Sequence, residues 1–502
     1  MSKNNSNKSN YIFQGAILAS ASIIVRMIGL LYRIPLGRII GDVGNSYYSC
    51  AFEVYSLILL ISSYSLPLAV SKIVSARIGT GARTNIGRIL KCALGFGFFV
   101  GVIGALVAYF GADFLTGTLL NTPEGAICLR VLAPCILIVA VLGTDTAAPA
   151  YGASGSTLGT TLGALAALLF ISFLLMVFLK KEKKRTFKNC PEESYREILV
   201  VLVMTILPVI LSTAIYNING IIDQGMFKAL MQNSGKNKEE IDVIWGVYSG
   251  KYKLLCNVPI ALASAMASST IPNISKMHGN RKAIRRSVGD VIRFTMVISI
   301  PCAVGLGVFG KEIIEILWPG TPEIGAEMMI FGSSAVVFYS LSTLTNGILQ
   351  GIDRMRLPVI HAAVSLVLHV GLLYVLTAVL KMEGMAIVWS YIFFGIIMCI
   401  LNNLAIRKHL KYRQEVLRTF VIPIAASAVM GVVSRLLYNV LFTAMGETGF
   451  AMLCSLIIAV VVAVVLYFVA LLAMRGLKER ELRAFPKGHV LVSIAKKLHF
   501  KL

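Results

Sequence analysis

The sequence predicts an all-α polytopic membrane protein, and three observations support this fold class. Of the 502 residues, 57% are hydrophobic and only 14% are charged, whereas soluble domains carry about 25% charged residues. Apolar runs of about 20 residues, the length of a helix that crosses a bilayer, recur along the whole chain. The basic residues, which give a net charge of +23, cluster between these runs.

Thirteen apolar runs have the length and composition of membrane spans. They lie at residues 12–31, 47–71, 91–110, 128–143, 158–179, 197–217, 252–272, 288–309, 326–349, 357–380, 384–406, 417–440 and 449–474. Prolines inside several runs, such as Pro208 and Pro301, predict that some of these helices are bent.

The charge of the connecting segments predicts the orientation of the spans. Connections rich in Lys and Arg stay on the cytoplasmic side, which assigns residues 72–91, 180–196 and 407–413 to the cytoplasm. Acidic or mixed segments, among them 218–246, are assigned to the outside. Both termini are therefore predicted to be cytoplasmic in a plasma-membrane protein. The basic excess is assigned to contact with membrane lipids, and nucleic acid is not an expected partner because no basic face with interleaved aromatic residues appears.

One interval contradicts this alternation. Between the cytoplasmic segments 72–91 and 180–196 the chain must cross the membrane an even number of times, yet only three apolar runs lie there. The stretch VLGTDTAAPAYGASG at 141–155 is too short and too polar to be a fourth span. The sequence therefore predicts that one span is missing near residues 144–150.

Basic residues inside or at the edge of the runs are candidates for substrate binding, because burying a charge in a bilayer is costly. Arg26 and Arg33 lie seven residues apart and share one helical face, while Lys251 and Lys253 open the seventh run. A basic cavity made by these four residues would suit an anionic headgroup, since arginine binds phosphate bidentately. The alternative is that each side chain extends to the interface or pairs with a neighbour.

That alternative is favoured for Arg293 and Arg435, which lie near the ends of spans. Four other ionisable residues are candidates for ion pairing with the cavity cations or for coupling to an ion gradient: Glu53, Asp223, His361 and His369. The two histidines lie eight residues apart near one helical face. Buried, hydrogen-bonded histidines are the favoured interpretation there.

Known catalytic and metal-binding motifs give no support for an enzyme. The chain has no GxxxxGK[ST], HExxH or GxSxG motif. The nine cysteines are scattered without a CxxC pair, so neither a disulfide framework nor a zinc site is expected. The sequence therefore predicts a protein without catalytic residues, metal or cofactor.

Three stretches carry a family resemblance: EVYSLILLISSYSLPLAVSKIVS at 53–75, YSGKYKLLCNVPIALASAMASSTIPNISK at 248–276 and NGILQGIDRMRLPVIHAAVSLVLH at 346–369. Through them the chain resembles the multidrug/oligosaccharidyl-lipid/polysaccharide (MOP) exporter superfamily. Within it, the chain looks most like the branch of stage V sporulation protein B and MurJ-type lipid II flippases. The resemblance covers residues 10 to 475.

The resemblance implies two pseudo-symmetric helical lobes around a central cavity, followed by two additional helices. Applied to this chain, it implies an N-lobe at 1–180, a basic cytoplasmic loop at 181–196 and a C-lobe at 197–410. The additional helices would occupy 411–474 and a basic cytoplasmic tail 475–502. Family members usually have fourteen spans, and the fifth span with the Arg-Gly-Tyr-Phe-Gln-Gly-like motif before it is what this chain lacks.

The resemblance also implies a function: outward movement of an undecaprenyl-linked sugar by alternating access, driven by membrane potential or an ion gradient. The family's cavity arginines match Arg26 and Arg33, and its basic residue in the eighth helix best matches Lys253. Gram-negative lipid II flippases have an acid directly after the second arginine, where this chain has Ile34, so an ion pair at that place is absent.

Four functions stay open at this point. The first is a flippase for a lipid-linked cell-wall precursor such as lipid II, for which cell-wall synthesis proteins are candidate partners. The second is an exporter of another lipid-linked polysaccharide unit. The third, cation-coupled multidrug efflux, would favour an acidic cavity, whereas the deepest charge here is Arg26. The fourth is a non-transporting assembly protein for sporulation or division.

Cysteine labelling tests the predicted orientation around the missing span. With the other cysteines removed, Cys190 in the basic segment should resist a membrane-impermeant thiol reagent in intact cells and react after permeabilisation. Labelling of Cys190 in intact cells would place this segment outside, and the predicted orientation of every later span would then be wrong.

Overall fold

The described part of the chain is almost entirely helical. The computed structural model describes residues 3–59, 73–74, 86–136, 193–276, 281–352, 354–474 and 476, and these ranges contain no strand. The predicted helical fold class is therefore confirmed for them. The stretch 141–155, where the sequence predicts a missing span, lies outside the described residues, as does the tail after residue 476.

The helices of these ranges are numbered here in chain order. They are α1 Lys3–Leu59, α2 Ile86–Phe110, α3 Gly125–Ile136, α4 Tyr195–Asn233, α5 Lys238–Val247, α6 Lys253–Lys276, α7 Arg281–Val308, α8 Gly310–Leu317, α9 Glu323–Gly332, α10 Ala335–Gly351, α11 Arg356–Tyr374, α12 Glu383–Leu410, α13 Ile422–Ala444 and α14 Gly449–Ala473. Wider π-helical turns adjoin them at Asp113–Leu119, Tyr248–Tyr252, Val375–Val379 and Leu417–Val421.

Within the described ranges, five helical segments are long and apolar enough to cross a membrane. They are Arg281–Val308, Arg356–Val379, Glu383–Leu410, Leu417–Ala444 and Gly449–Ala473. Two further candidates are bent: Phe99–Phe110 with Asp113–Leu119 at 58°, and Glu323–Gly332 with Ala335–Gly351 at 50°. Six of the seven coincide with predicted runs; in the other, Phe99–Phe110 lies in the run 91–110, whereas Asp113–Leu119 lies in the connection after it. The total of thirteen spans stays a prediction.

Two connections predicted between spans are helical instead. The connection at 32–46 is part of α1, which changes direction at Gly41, where φ is 67° and ψ is −174°. Glycine adopts this backbone conformation without the steric penalty that a side chain would bring. The segment 218–246, assigned to an outer connection because it is polar, is largely the end of α4 and the whole of α5. Several of its polar side chains are buried inside the protein.

Two compact units divide the chain: residues 1–38 with 247–502, and residues 39–246. In the first unit, the Arg38 guanidinium donates to the carbonyls of Ile316 and Leu317, at 2.6 Å each, and so caps the C-terminal end of α8. In the second unit, Ile198 and Leu202 at the start of α4 pack against the buried side of α2. The units divide at residue 246, whereas the lobes expected from the sequence divide at 181–196, and those lobe boundaries stay predictions.

The core of the first unit lies among α6, α7, α10 and α12. Val288, Ile292 and Met296 project from α7 at helical spacing and pack with Leu344 and Ile348 of α10. A second cluster joins α13 and α14 to α7, where the buried Tyr467 hydroxyl donates to the Val297 carbonyl at 2.7 Å. These contacts fix the helices that carry the candidate residues described next.

Candidate functional site

The two candidate arginines lie on the same long helix. Arg26 and Arg33 are both part of α1, in agreement with the spacing that places them on one face. Arg33 is half-buried, while the surroundings of the Arg26 side chain lie outside what the structure describes. Their role in binding a substrate stays a prediction.

The two candidate lysines have different environments. Lys251 is in the π-helical turn before α6, is buried, and donates to Thr321 Oγ1 at 2.8 Å. The Thr321 hydroxyl donates in turn to the Trp318 carbonyl at 2.6 Å, so its oxygen is oriented to accept from the ammonium. Lys253, the first residue of α6, is half-buried. Lys251 is thus anchored in the protein, whereas Lys253 keeps partial exposure.

Tyrosine rings hold the Lys253 ammonium. Its Nζ atom lies 5.3 Å from the centroid of the Tyr248 ring and 5.6 Å from that of Tyr391. The negative face of an aromatic ring attracts a cation at this range, by roughly 0.5–2 kcal/mol. Tyr391 is itself stacked on Tyr339, with centroids 4.1 Å apart and planes at 15°. The ammonium is therefore positioned by rings that are packed in the core.

The two candidate histidines both face α12 from α11. His369 Nδ1 lies 2.7 Å from the Ser390 carbonyl oxygen, and His361 Nδ1 lies 2.7 Å from Asn402 Oδ1. A carbonyl oxygen can only accept, so Nδ1 of His369 carries the hydrogen and donates it. The same assignment follows for His361, because Asn402 points its Nδ2 at other acceptors. The expectation of hydrogen-bonded histidines on one face is confirmed, and a role in coupling stays a prediction.

Asn402 joins three helices of this unit through a buried polar network. Its Nδ2 donates to Thr345 Oγ1 at 3.0 Å and to Asn346 Oδ1 at 2.8 Å, both on α10. Its Oδ1 accepts from His361 on α11. Because buried polar groups are costly when unpaired, this network specifies how α10, α11 and α12 pack.

The two candidate acids lie on α1 and α4 in the unit 39–246. A Cβ atom at Gly220 would collide with the carboxylate of Glu53, so the missing side chain at Gly220 makes room for that acid. Asp223, nearly one helical turn further along α4, is buried. Pairing of either acid with the candidate cations stays a prediction.

The arginines expected to pair with neighbours do so. Arg293 forms an ion pair with Glu415, and Arg435 with Glu312 at 2.7 Å. Arg435 also donates to the Val308 carbonyl at 3.2 Å. The preferred interpretation of both arginines is confirmed. Near the first pair, burial together with repulsion from Glu415 raises the pKa of Tyr412 to about 12.

One charged cluster was not predicted from the sequence. Lys228 on α4 and Asp242 on α5 form a buried ion pair in which the two side chains are 2% and 3% exposed. Both lie in the segment that polarity assigned to an outer connection. The signal that could have found them is the helical spacing of apolar residues in GIIDQGMFKALM, which continues past the end of the sixth run.

Metal binding finds no support within the described ranges, where no three His, Cys, Asp or Glu side chains come together as ligands. The candidate residues therefore offer positive charge on Arg33 and Lys253, aromatic faces, and hydrogen-bonded histidines. Binding of an anion by these groups stays a prediction.

Two solved membrane transporters share the fold. One is "Lipid II flippase MurJ, inward closed conformation", with a TM-score of 0.62 and 15% identity, covering 91% of this chain and 99% of that one. The other is an inward-facing multidrug resistance MATE family transporter of the MOP superfamily, with a TM-score of 0.52 and 15% identity, covering 78% and 98%. The chain thus has the fold of the MOP superfamily of transporters.

Sequence comparison narrows this class. The family model described as lipid II flippase MurJ matches residues 125–457, and that of polysaccharide biosynthesis proteins matches residues 14–145. Since the first match covers more than half of the chain, the chain belongs to the lipid II flippase MurJ family. In Bacillus subtilis (strain 168), lipid II flippase MurJ is 21% identical, over 85% of this chain and 88% of the relative. Stage V sporulation protein B from the same organism is 19% identical, over 95% and 98%.

Replacing Asn402 with leucine should destabilise the protein. The variant removes the partner of His361, Thr345 and Asn346 together, and each buried polar group left unpaired costs about 1–3 kcal/mol. We expect Asn402→Leu to lower the thermal unfolding midpoint of the detergent-solubilised protein by roughly 5 °C or more.

The matched control is Asn403→Leu, the same substitution at the next position. Asn403 is half-buried and makes no hydrogen bond with its side chain within the described ranges. Equal midpoints for the two variants would show that the Asn402 network does not hold α10, α11 and α12 together.

Proposed function

We propose that this protein moves an undecaprenyl-pyrophosphate-linked cell-wall precursor of the lipid II type across the plasma membrane by alternating access. Membership of the MurJ family supports the class of substrate. The observation that carries the proposal is the half-buried Lys253, whose ammonium lies against the rings of Tyr248 and Tyr391. An anchored cation of this kind suits a pyrophosphate, which every lipid-linked precursor of this class carries whatever its sugar.

The positioning of Lys253 explains why it is a better candidate than Lys251. Lys251 is buried and donates to Thr321, so that its charge supports the turn before α6. Lys253 is fixed by ring faces, which attract the charge while leaving part of the side chain accessible. In the proposal, Lys253 contacts the pyrophosphate together with Arg26 and Arg33, whose fork geometry suits phosphate oxygens.

The driving force in this proposal is the membrane potential or an ion gradient. Moving one charge through the full potential changes the free energy by about 2.3 kcal/mol per 100 mV. The free energy of an anionic headgroup falls by this amount per charge when the headgroup moves outward across an inside-negative membrane. No chemical conversion of the substrate is part of the proposal, and the termini are proposed to be cytoplasmic.

A second candidate is export of another lipid-linked polysaccharide unit. The match of residues 14–145 to polysaccharide biosynthesis proteins and the relation to stage V sporulation protein B favour it. The similarity in fold to a MATE transporter supports cation-coupled drug efflux. The basic candidates disfavour it, because a cationic drug would be repelled by Arg26 and Lys253.

Complementation tests the proposed substrate and the role of Lys253. In cells depleted of their own lipid II flippase, the wild-type chain should restore growth and the exposure of lipid II on the outer leaflet. Lys253→Gln should slow this exposure about tenfold or more, because a charge-assisted hydrogen bond contributes about 1.5–3 kcal/mol. Lys253→Arg should keep most of the activity.

The control is Lys311→Gln, which removes an exposed lysine of the same unit, with equal amounts of each variant verified in the membrane. Lipid II exposure that is unchanged in Lys253→Gln would exclude the binding role of Lys253. A wild-type chain that restores neither growth nor exposure, but does restore export of another polysaccharide, would favour the second candidate.

A further inference from the structure

Four side chains of the unit 39–246 form what we call the cation cage: Ser46, Thr122, Lys228 and Asp242. The Lys228 Nζ atom lies 2.8 Å from Ser46 Oγ, 2.6 Å from Thr122 Oγ1 and 2.5 Å from Asp242 Oδ1. An ammonium has three N–H donors, and these three oxygens account for all of them. All four residues are buried.

Both hydroxyls of the cage are oriented to present lone pairs to the ammonium. Ser46 donates its own hydrogen to Asp242 Oδ1 at 2.8 Å, and Thr122 donates its hydrogen to the Leu120 carbonyl at 3.0 Å. Neither hydroxyl hydrogen therefore points at Lys228. The oxygens stay directed at one point by bonds that do not involve the lysine.

The charge of the cage matches a monovalent cation. One carboxylate and two neutral hydroxyls carry a charge of −1, which one positive charge balances. Calcium takes six to eight oxygen ligands, usually with several carboxylates, and magnesium demands an octahedral set. The oxygens around Lys228 satisfy neither requirement. The single negative charge is balanced by one monovalent cation, such as an ammonium group, sodium or potassium.

Gln224 contacts the cage through its side-chain amide. Its side chain is buried and its Nε2 donates to Thr122 Oγ1 at 3.4 Å. The Thr122 hydroxyl has already given its hydrogen to Leu120, so the amide must present nitrogen to it. Gln224 Oε1 then has no hydrogen-bond partner within the described ranges.

We propose that the cation cage is a monovalent-cation site whose resident ion is the Lys228 ammonium. The cage joins four segments: α1, the turn before α3, and the consecutive helices α4 and α5. Because the cation is part of the Lys228 side chain, the packing of these segments does not depend on the salt in the surrounding solution. Without the lysine, the buried carboxylate is uncompensated, and the cage recruits sodium or potassium from solution.

Thermal unfolding of the purified full chain in detergent tests this proposal. The ionic strength is held constant while choline is replaced by Na⁺ or K⁺. The wild-type midpoint should be the same in all three salts. The midpoint of Lys228→Met should be lowered in choline and should rise saturably, by roughly 5 °C or more, with Na⁺ or K⁺.

Two controls isolate the cage. Lys238→Met removes a lysine that is also ion-paired, with Glu124, but is far more exposed, and it should show no cation response. Lys228→Met combined with Asp242→Asn removes both charges, and the response should disappear. If Lys228→Met gives no monodisperse protein in choline, the yield of monodisperse protein in Na⁺ or K⁺ is measured in place of the unfolding midpoint. The same measurement is made for Lys228→Gln.

The proposal would be overturned if each Lys228 variant had the same midpoint in choline, Na⁺ and K⁺. It would also be overturned if the single Lys228 variants failed to fold in every salt while Lys228→Met combined with Asp242→Asn folded. A saturable response of the wild type that Asp242→Asn abolishes would also overturn it, because Lys228 would not be the resident cation. These readouts need no transport and no substrate. They are therefore independent of the proposed function.

Discussion

A polar or charged group in a membrane-spanning helix must find its partner inside the protein, because lipid hydrocarbon offers none. This constraint determines how the described helices pack. Asn402 joins α10, α11 and α12, Tyr467 joins α14 to the backbone of α7, and Lys228 joins α4 to three other segments. In each case a side chain of one helix supplies the hydrogen bond that another helix needs. The apolar surface between them packs around these fixed points.

The same constraint explains how far the sequence could predict the fold. Long apolar runs were predicted well even where they contain a polar residue with a distant partner: the five helices of membrane length lie where hydropathy placed them. The helices within 218–246 were not anticipated, because polarity indicated only an outer connection there; its position outside the membrane stays a prediction. A hydropathy scale assigns Lys228 and Asp242 to solvent. It contains no information on whether two charged side chains are buried as an ion pair, since that depends on the fold.

The candidate residues divide in a similar way. The placement of His361 and His369 on one face followed from their spacing, because a helix brings residues eight apart close together in angle. The pairing of Arg293 and Arg435 could be expected, although their partners Glu415 and Glu312 could not be named. Those partners lie 122 and 123 residues away in sequence. One sequence without a structure carries no information about which of many acids will be adjacent.

Lys228 and Lys253 show two ways of stabilising a cation within a helical protein, and the difference bears on function. Around Lys228, three oxygens use all three donors and the side chain is almost fully buried. Such an ammonium is committed to structure and has no capacity left for a substrate. Lys253 lies against the faces of Tyr248 and Tyr391, which attract its charge, and its side chain is only half-buried. Position in the sequence does not distinguish these two lysines, whereas the chemistry of their partners does.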